Sequence, residues 1–102
     1  MANMKRGDKA QLLLRERLQV TEQLFVELVI WRVPHPVKGS SHDFKYRLAV
    51  VADGVCVVRY DNEAGKGDHK HLLNSQIDYS FSTLEQLQTD FWREVSEWSG
   101  KR

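Results

Sequence analysis

Apolar and polar residues alternate with a period of two over much of the first sixty positions, then change to a helical period near the C-terminus. AQLLLRERLQV (10–20) and LFVELVIWRV (24–33) read as two strands of a hairpin around Thr21, Glu22 and Gln23. Setting Val20 against Leu24 brings Leu18 to Val26 and Leu14 to Ile30 on one side. On the other side it brings Arg17 to Glu27 and Leu13 to Trp31. Apolar pairs and a favourable charge pair in one register specify strand pairing. Glu16 falls on the apolar side, which calls for a bulge or an edge position.

The segment 34–43, with two prolines, a glycine and two serines, is expected to be a loop. FKYRLAVV and VCVVRYD then flank Ala52-Asp53-Gly54, where Asp-Gly suits a tight turn. A three-residue loop collects Tyr46, Leu48, Val50, Cys56, Val58 and Tyr60 on one apolar side, and burial favours that register. Its other side sets Lys45 against Asp61 and Arg47 against Arg59. Like charges across a ladder are destabilising, so the two arginines imply a screening acid or a bound anion. IDYSF (77–81) alternates like a short strand. Ser82 and Glu85 form a capping box, and Leu84, Leu87, Phe91, Val95 and Trp98 recur at helical spacing over 82–98. One amphipathic helix and one half-apolar sheet bury each other. The expectation is a single α+β domain over 1–102, with an antiparallel sheet of four to six strands packed on a C-terminal helix.

Length and composition narrow this further. At 102 residues there is material for one core. Fifteen basic residues against fourteen acidic ones leave a net charge of +1, so any nucleic-acid footprint must be local. Residues 1–8 read as a basic, disordered tail. No apolar run reaches membrane-spanning length. The single cysteine, Cys56, sits in an apolar run and is expected to be buried and unreactive. One cysteine makes no internal disulfide, which fits a reducing, cytoplasmic setting.

RYDNEAGKGDHKH (59–71) is where polar chemistry concentrates, and 61–76 is expected to form a polar functional loop. His69 and His71, spaced i, i+2 on extended chain, point the same way. With Asp61, Glu63 or Asp68 they could share a metal ion, although H-x-H alone lacks the second fixed pair of a zinc site. A metal-free reading uses the same groups on RNA. One histidine acts as general acid or base and the other orients it, while Arg47 and Arg59 hold the phosphate and Asp61 fixes a tautomer or rotamer. Lys66 and Lys70 strengthen the local positive field. The bland alternative is a solvated loop turned by Gly65 and Gly67. Leu13, Phe25 and Trp31, on the side away from the helix, suggest a protein-binding patch.

The segments LLLRER, FVELVIWRVPHPVKGSSHDFKYRLA, RYDNEAGKGDHKH and FWREV resemble the TumE family of bacterial and archaeal toxins, from about residue 10 to the end of the helix. The resemblance implies a small cytoplasmic toxin; action on RNA is inferred from the company such toxins keep, and the chain is expected to be monomeric or weakly dimeric and to need no cofactor. Its implied partner is a separate antitoxin carrying a helix-turn-helix domain. By position, the motif residues are Tyr60, Asp61, Asn62, His69 and His71.

Overall fold

The structure, a computed structural model, describes residues 9–100; the expected tail at 1–8 lies outside the described residues. Six strands follow in chain order: β1 (Gln11–Gln19), β2 (Leu24–Arg32), β3 (Phe44–Ala52), β4 (Val55–Glu63), β5 (Gly67–Leu72) and β6 (Ser75–Asp78). The helix α1 (Leu84–Gly100) closes the chain. The strands form one antiparallel meander in which each pairs with the next, and the helix lies on one face. This is the α+β architecture that the pattern implied.

Even-numbered residues of the central strands face the helix. Leu24, Val26, Leu28, Ile30, Tyr46, Leu48, Val50, Val58 and Tyr60 form the core with Leu87, Phe91 and Val95. Odd-numbered residues face the other way, where no described element covers them. Thr83 rather than Ser82 caps the helix, accepting the Gln86 N–H on its Oγ1 at 3.0 Å. The Gln86 side chain turns to Asp90 at 2.7 Å, so the reciprocal half of a capping box does not form.

The first hairpin pairs as its charges require: Arg17 lies opposite Glu27, Leu18 opposite Val26 and Leu14 opposite Ile30. A bulge at Leu13 puts Leu12, not Leu13, against Trp31. Glu16 sits on the helix side, but β1 is an edge strand beyond the helix, and Glu16 remains solvated.

The second hairpin departs from expectation. Its turn is two residues, Asp53 and Gly54, both with positive φ (52° and 79°), the pattern of a type I′ turn. An extra residue on β4 between the Val51–Cys56 and Val50–Val58 pairs then shifts the ladder. Two consequences correct the sequence reading. Arg47 faces Asp61, not Arg59, so the like-charge clash is absent. Cys56, paired with Val51, is exposed rather than buried, and Val57 takes the buried place.

The segment 61–76 is not a loop. It continues β4, turns through Ala64, Gly65 and Lys66, and returns as β5 and the start of β6. The Ile77–Phe81 strand shrinks to the end of β6 at Asp78.

Candidate functional site

Strand alternation splits the polar motif between two faces. Along β4, Arg59, Asp61 and Glu63 point to the open face; on β5, His69 and His71 do so opposite Asp61 and Arg59. Arg47 joins from β3 across from Asp61. Six of the expected groups therefore share the open face of adjacent strands.

Asp61 is 5% exposed and lies at the centre. Its Oδ2 is 2.8 Å from Arg59 Nε, and its Oδ1 is 2.7 Å from Nε2 of His69, which is itself 1% exposed. Both contacts are short yet off-axis, so Arg59 Nε and Asp61 Oδ1 are buried without an aligned hydrogen bond. We read them as charge attraction with imperfect directionality. The other nitrogen of His69, Nδ1, lies 3.0 Å from the Gly67 carbonyl oxygen, an acceptor, so it carries a proton. His69 is thereby a fixed, inward group. His71 differs. It is partly exposed, and its Nε2 lies 2.9 Å from an Arg59 terminal nitrogen. A guanidinium only donates, so Nε2 accepts and the imidazole is neutral with its proton on Nδ1. Burial, and next the Arg59 charge, push the His71 pKa below its ordinary 6.5. The two rings meet edge to face, centroids 4.8 Å apart.

A shallow cleft of about 160 Å³ opens beside this group, lined in part by Lys45, Arg47, Arg59, Asp61 and Glu63. It adjoins an apolar cleft of about 180 Å³ lined by Val29, Trp31, Lys45, Tyr46 and Arg47. Phe25 is partly covered by its own chain, with the Arg17 guanidinium 4.1 Å above the ring.

Donor atoms of Asp61, His69 and His71 all lie within 4.8 Å of one another and could hold a divalent metal. Arg59 already takes the lone pair of His71 and one oxygen of Asp61, so a metal ion would have to displace that guanidinium. Glu63, a fourth metal candidate, is exposed and pairs with Lys66 at 3.5 Å.

Other motif residues lie elsewhere. Tyr60 is in the core on the helix side, its ring edge-on to Phe91 and Tyr79. Lys70 shares that side and donates to Glu94 at 3.0 Å, tying β5 to the helix. Lys66 is on the exposed turn. Asn62 is buried and holds β3: it accepts the Tyr46 N–H at 3.0 Å and donates to the Phe44 carbonyl at 2.7 Å.

Sequence reasoning left a second polar centre unassigned. On the helix side Asp68 accepts from Ser40 Oγ at 2.6 Å, Tyr46 OH at 2.6 Å and His42 Nε2 at 2.7 Å. Burial pushes the Asp68 carboxyl upward, but these donors outweigh it and hold the pKa below the ordinary 3.8. Desolvation and then the Asp68 bond push the Tyr46 phenol strongly upward. His42 Nδ1 accepts the Phe44 N–H at 3.1 Å, and the ring stacks on Phe81 with centroids 3.8 Å apart. Every group here is satisfied internally, which is the signature of a clamp. It fastens the 34–43 loop to β5, directly beneath the histidines. The signal available in sequence was the strand alternation itself, which puts Asp68 on the side opposite His69, where a buried carboxylate needs donors.

No curated protein and no solved structure matches the chain. The family model described as toxin TumE matches residues 5–99, nearly the whole length and including β4 and the histidine-bearing β5. Among the described residues no helix is long and apolar enough to cross a membrane. The chain thus belongs to the TumE toxin family, as the toxin of a toxin–antitoxin module.

Proposed function

We propose that the open face cleaves RNA without a metal, with His71 as the general base. The observation carrying this reading is the Arg59 bridge, 2.9 Å from His71 and 2.8 Å from Asp61, at the edge of a cleft that Arg47 also lines. A phosphate entering the cleft competes for the Arg59 guanidinium, a better partner for an anion than for an imidazole. Drawing Arg59 onto a non-bridging oxygen frees the His71 lone pair. That nitrogen then takes the proton of the 2′-hydroxyl, the 2′-oxygen attacks phosphorus, and the 5′-oxygen leaves with a proton from water. Arg47 and Arg59 stabilise the charge that builds on the phosphoryl oxygens. His69, too buried to touch substrate, positions Asp61, and Asp61 positions Arg59. Trp31, in the adjoining cleft, supplies a surface for a neighbouring base.

The test is the purified toxin on a single-stranded RNA oligonucleotide, scored for 2′,3′-cyclic phosphate ends. His71→Ala is expected to lower the rate by about 10²–10⁴-fold. It should also abolish growth inhibition while the circular dichroism spectrum is retained. Full growth inhibition by a folded His69→Ala/His71→Ala double variant would sink the assignment. If Trp31→Ser removed the effect while the histidine variants kept it, docking on a protein partner through Leu13, Phe25 and Trp31 would take its place.

A further inference from the structure

The sheet has one long unfinished edge. β1 has no strand on its outer side among the described residues, and Leu12, Leu13, Leu18 and Val20 are 45, 44, 40 and 37% exposed. Such an edge is a template for added strands unless something covers it. Its usable length follows from the hydrogen bonds. Val20 N–H donates to the Leu24 carbonyl at 2.8 Å, so even-numbered β1 residues direct their backbone groups toward β2. The N–H and C=O of Arg15, Arg17 and Gln19 therefore point outward. The bulge at Leu13 breaks this order toward the start of the strand and confines pairing to about Leu14–Gln19.

Charge decides what fits. Facing residues in a sheet share a face, so only same-face partners can be set opposite one another. Arg15 and Arg17 lie on the open face; Leu14, Glu16 and Leu18 lie on the helix face. A second copy would pair β1 with β1 about a two-fold axis. Registers centred on Arg15, Glu16 or Arg17 each set arginine against arginine or glutamate against glutamate. Registers centred nearer the ends, on Leu14, Leu18 or Gln19, avoid this, but each leaves Arg15 without an acid opposite it. The residues before β1 carry Lys5, Arg6 and Lys9 against a single acid, Asp8, a net positive charge and the wrong sign for Arg15. Arg17 already has Glu27 at 3.9 Å, whereas Arg15 has no acidic partner among the described residues.

We propose that the outer edge of β1 is the docking site for an extended segment of the antitoxin, which adds a seventh strand to the sheet. The segment has acids on the open side against Arg15 and aliphatic residues on the helix side against Leu14 and Leu18. This edge is three strands from β4, roughly 14 Å at about 4.8 Å per strand. The added strand anchors the complex without itself filling the cleft beside Arg59. It follows that binding and toxicity are separable.

The experiment is amide hydrogen exchange on purified toxin, free and in complex with its cognate antitoxin, with growth assays of variants. The amides of Arg15, Arg17 and Gln19 are expected to exchange freely in the toxin alone and to be protected at least 100-fold in the complex. Arg15→Glu, and separately Arg17→Pro, which removes one outward N–H, should leave growth inhibition intact. Each should weaken antitoxin binding tenfold or more, so that co-expressed antitoxin no longer rescues. Equal exchange in both states would overturn the proposal. So would protection already present in the free toxin, whether as a dimer, meaning a second copy on the edge, or as a monomer, meaning its own N-terminus. Unchanged rescue of the Arg15→Glu variant would overturn it as well.

Discussion

Asp61 is the residue whose removal tests the site most sharply. In Asp61→Ala, His69 Nε2 loses the carboxylate 2.7 Å away, in a position 1% exposed. Stranding a buried polar group costs about 1–3 kcal/mol. Arg59 loses its carboxylate too, but its side chain is 29% exposed and can rehydrate, so that loss is held to about 1 kcal/mol. The total is about 2–4 kcal/mol, which for a domain of this size lowers the melting temperature by roughly 10–25 °C. Asp61→Asn behaves differently. Its amide oxygen can accept from Arg59, and its NH₂ can donate to His69 Nε2 while Nδ1 keeps its proton for Gly67. That variant should lose under about 1 kcal/mol, yet should lose toxicity because Arg59 is no longer held by a full charge. Urea unfolding followed by tryptophan fluorescence measures both. If alanine cost no more than an ordinary surface change, or asparagine as much as alanine, the buried Arg59–Asp61–His69 arrangement would be wrong.

Other expectations are shorter to state. His71 has its pKa pushed below 6.5, so cleavage should rise with pH on a limb lying below pH 6.5 and flatten above it. The same shift makes the unfolded chain bind the proton more readily, so the His71 share of stability is full above pH 6.5 and is lost as pH falls toward the folded pKa. Gly67→Ala would place a Cβ 2.9 Å from the Gly39 carbonyl oxygen at φ +74°, costing about 2 kcal/mol or more by denaturation. Gly65→Ala, at φ +85° with open space around it, should cost less. Because Arg59 blocks two of three donors, a chelator should leave RNA cleavage unchanged and added zinc should slow it. A rate lost to chelator and restored by zinc or manganese would replace the metal-free mechanism.

The parts of the fold legible in sequence were those carried by side-chain alternation. The Arg17–Glu27 and Leu18–Val26 pairs state the first register, and Leu87, Phe91 and Val95 state the helix. What alternation cannot report is an added residue. The bulge on β4 slides β3 against β4 while keeping most residues on their faces, so the choice of apolar side survived and the choice of partners did not. That is why Arg47 met Asp61 and Cys56 came to the surface. The clamp around Asp68 was invisible for another reason. Ser40 and His42 reach it across 28 and 26 residues, and a loop that proline and glycine mark as irregular gives no sign of where it lands.

The two faces of the β4–β5 hairpin explain why the polar motif is so dense. Each strand carries two jobs at alternate positions. Tyr60, Asn62, Asp68 and Lys70 point toward the helix, where Glu94, Phe44, Ser40, His42 and Tyr46 fix them. Arg59, Asp61, His69 and His71 point the other way on the same backbone. A catalytic group held on a strand pinned from beneath loses little freedom when substrate arrives, because its orientation is set before binding. On a mobile loop the same four side chains would sample many separations, and a 2.9 Å Arg59–His71 contact would be transient. The dense polar sequence is therefore two interleaved sets of residues, one holding the hairpin still so that the other keeps Arg59, Asp61, His69 and His71 in contact on the open face.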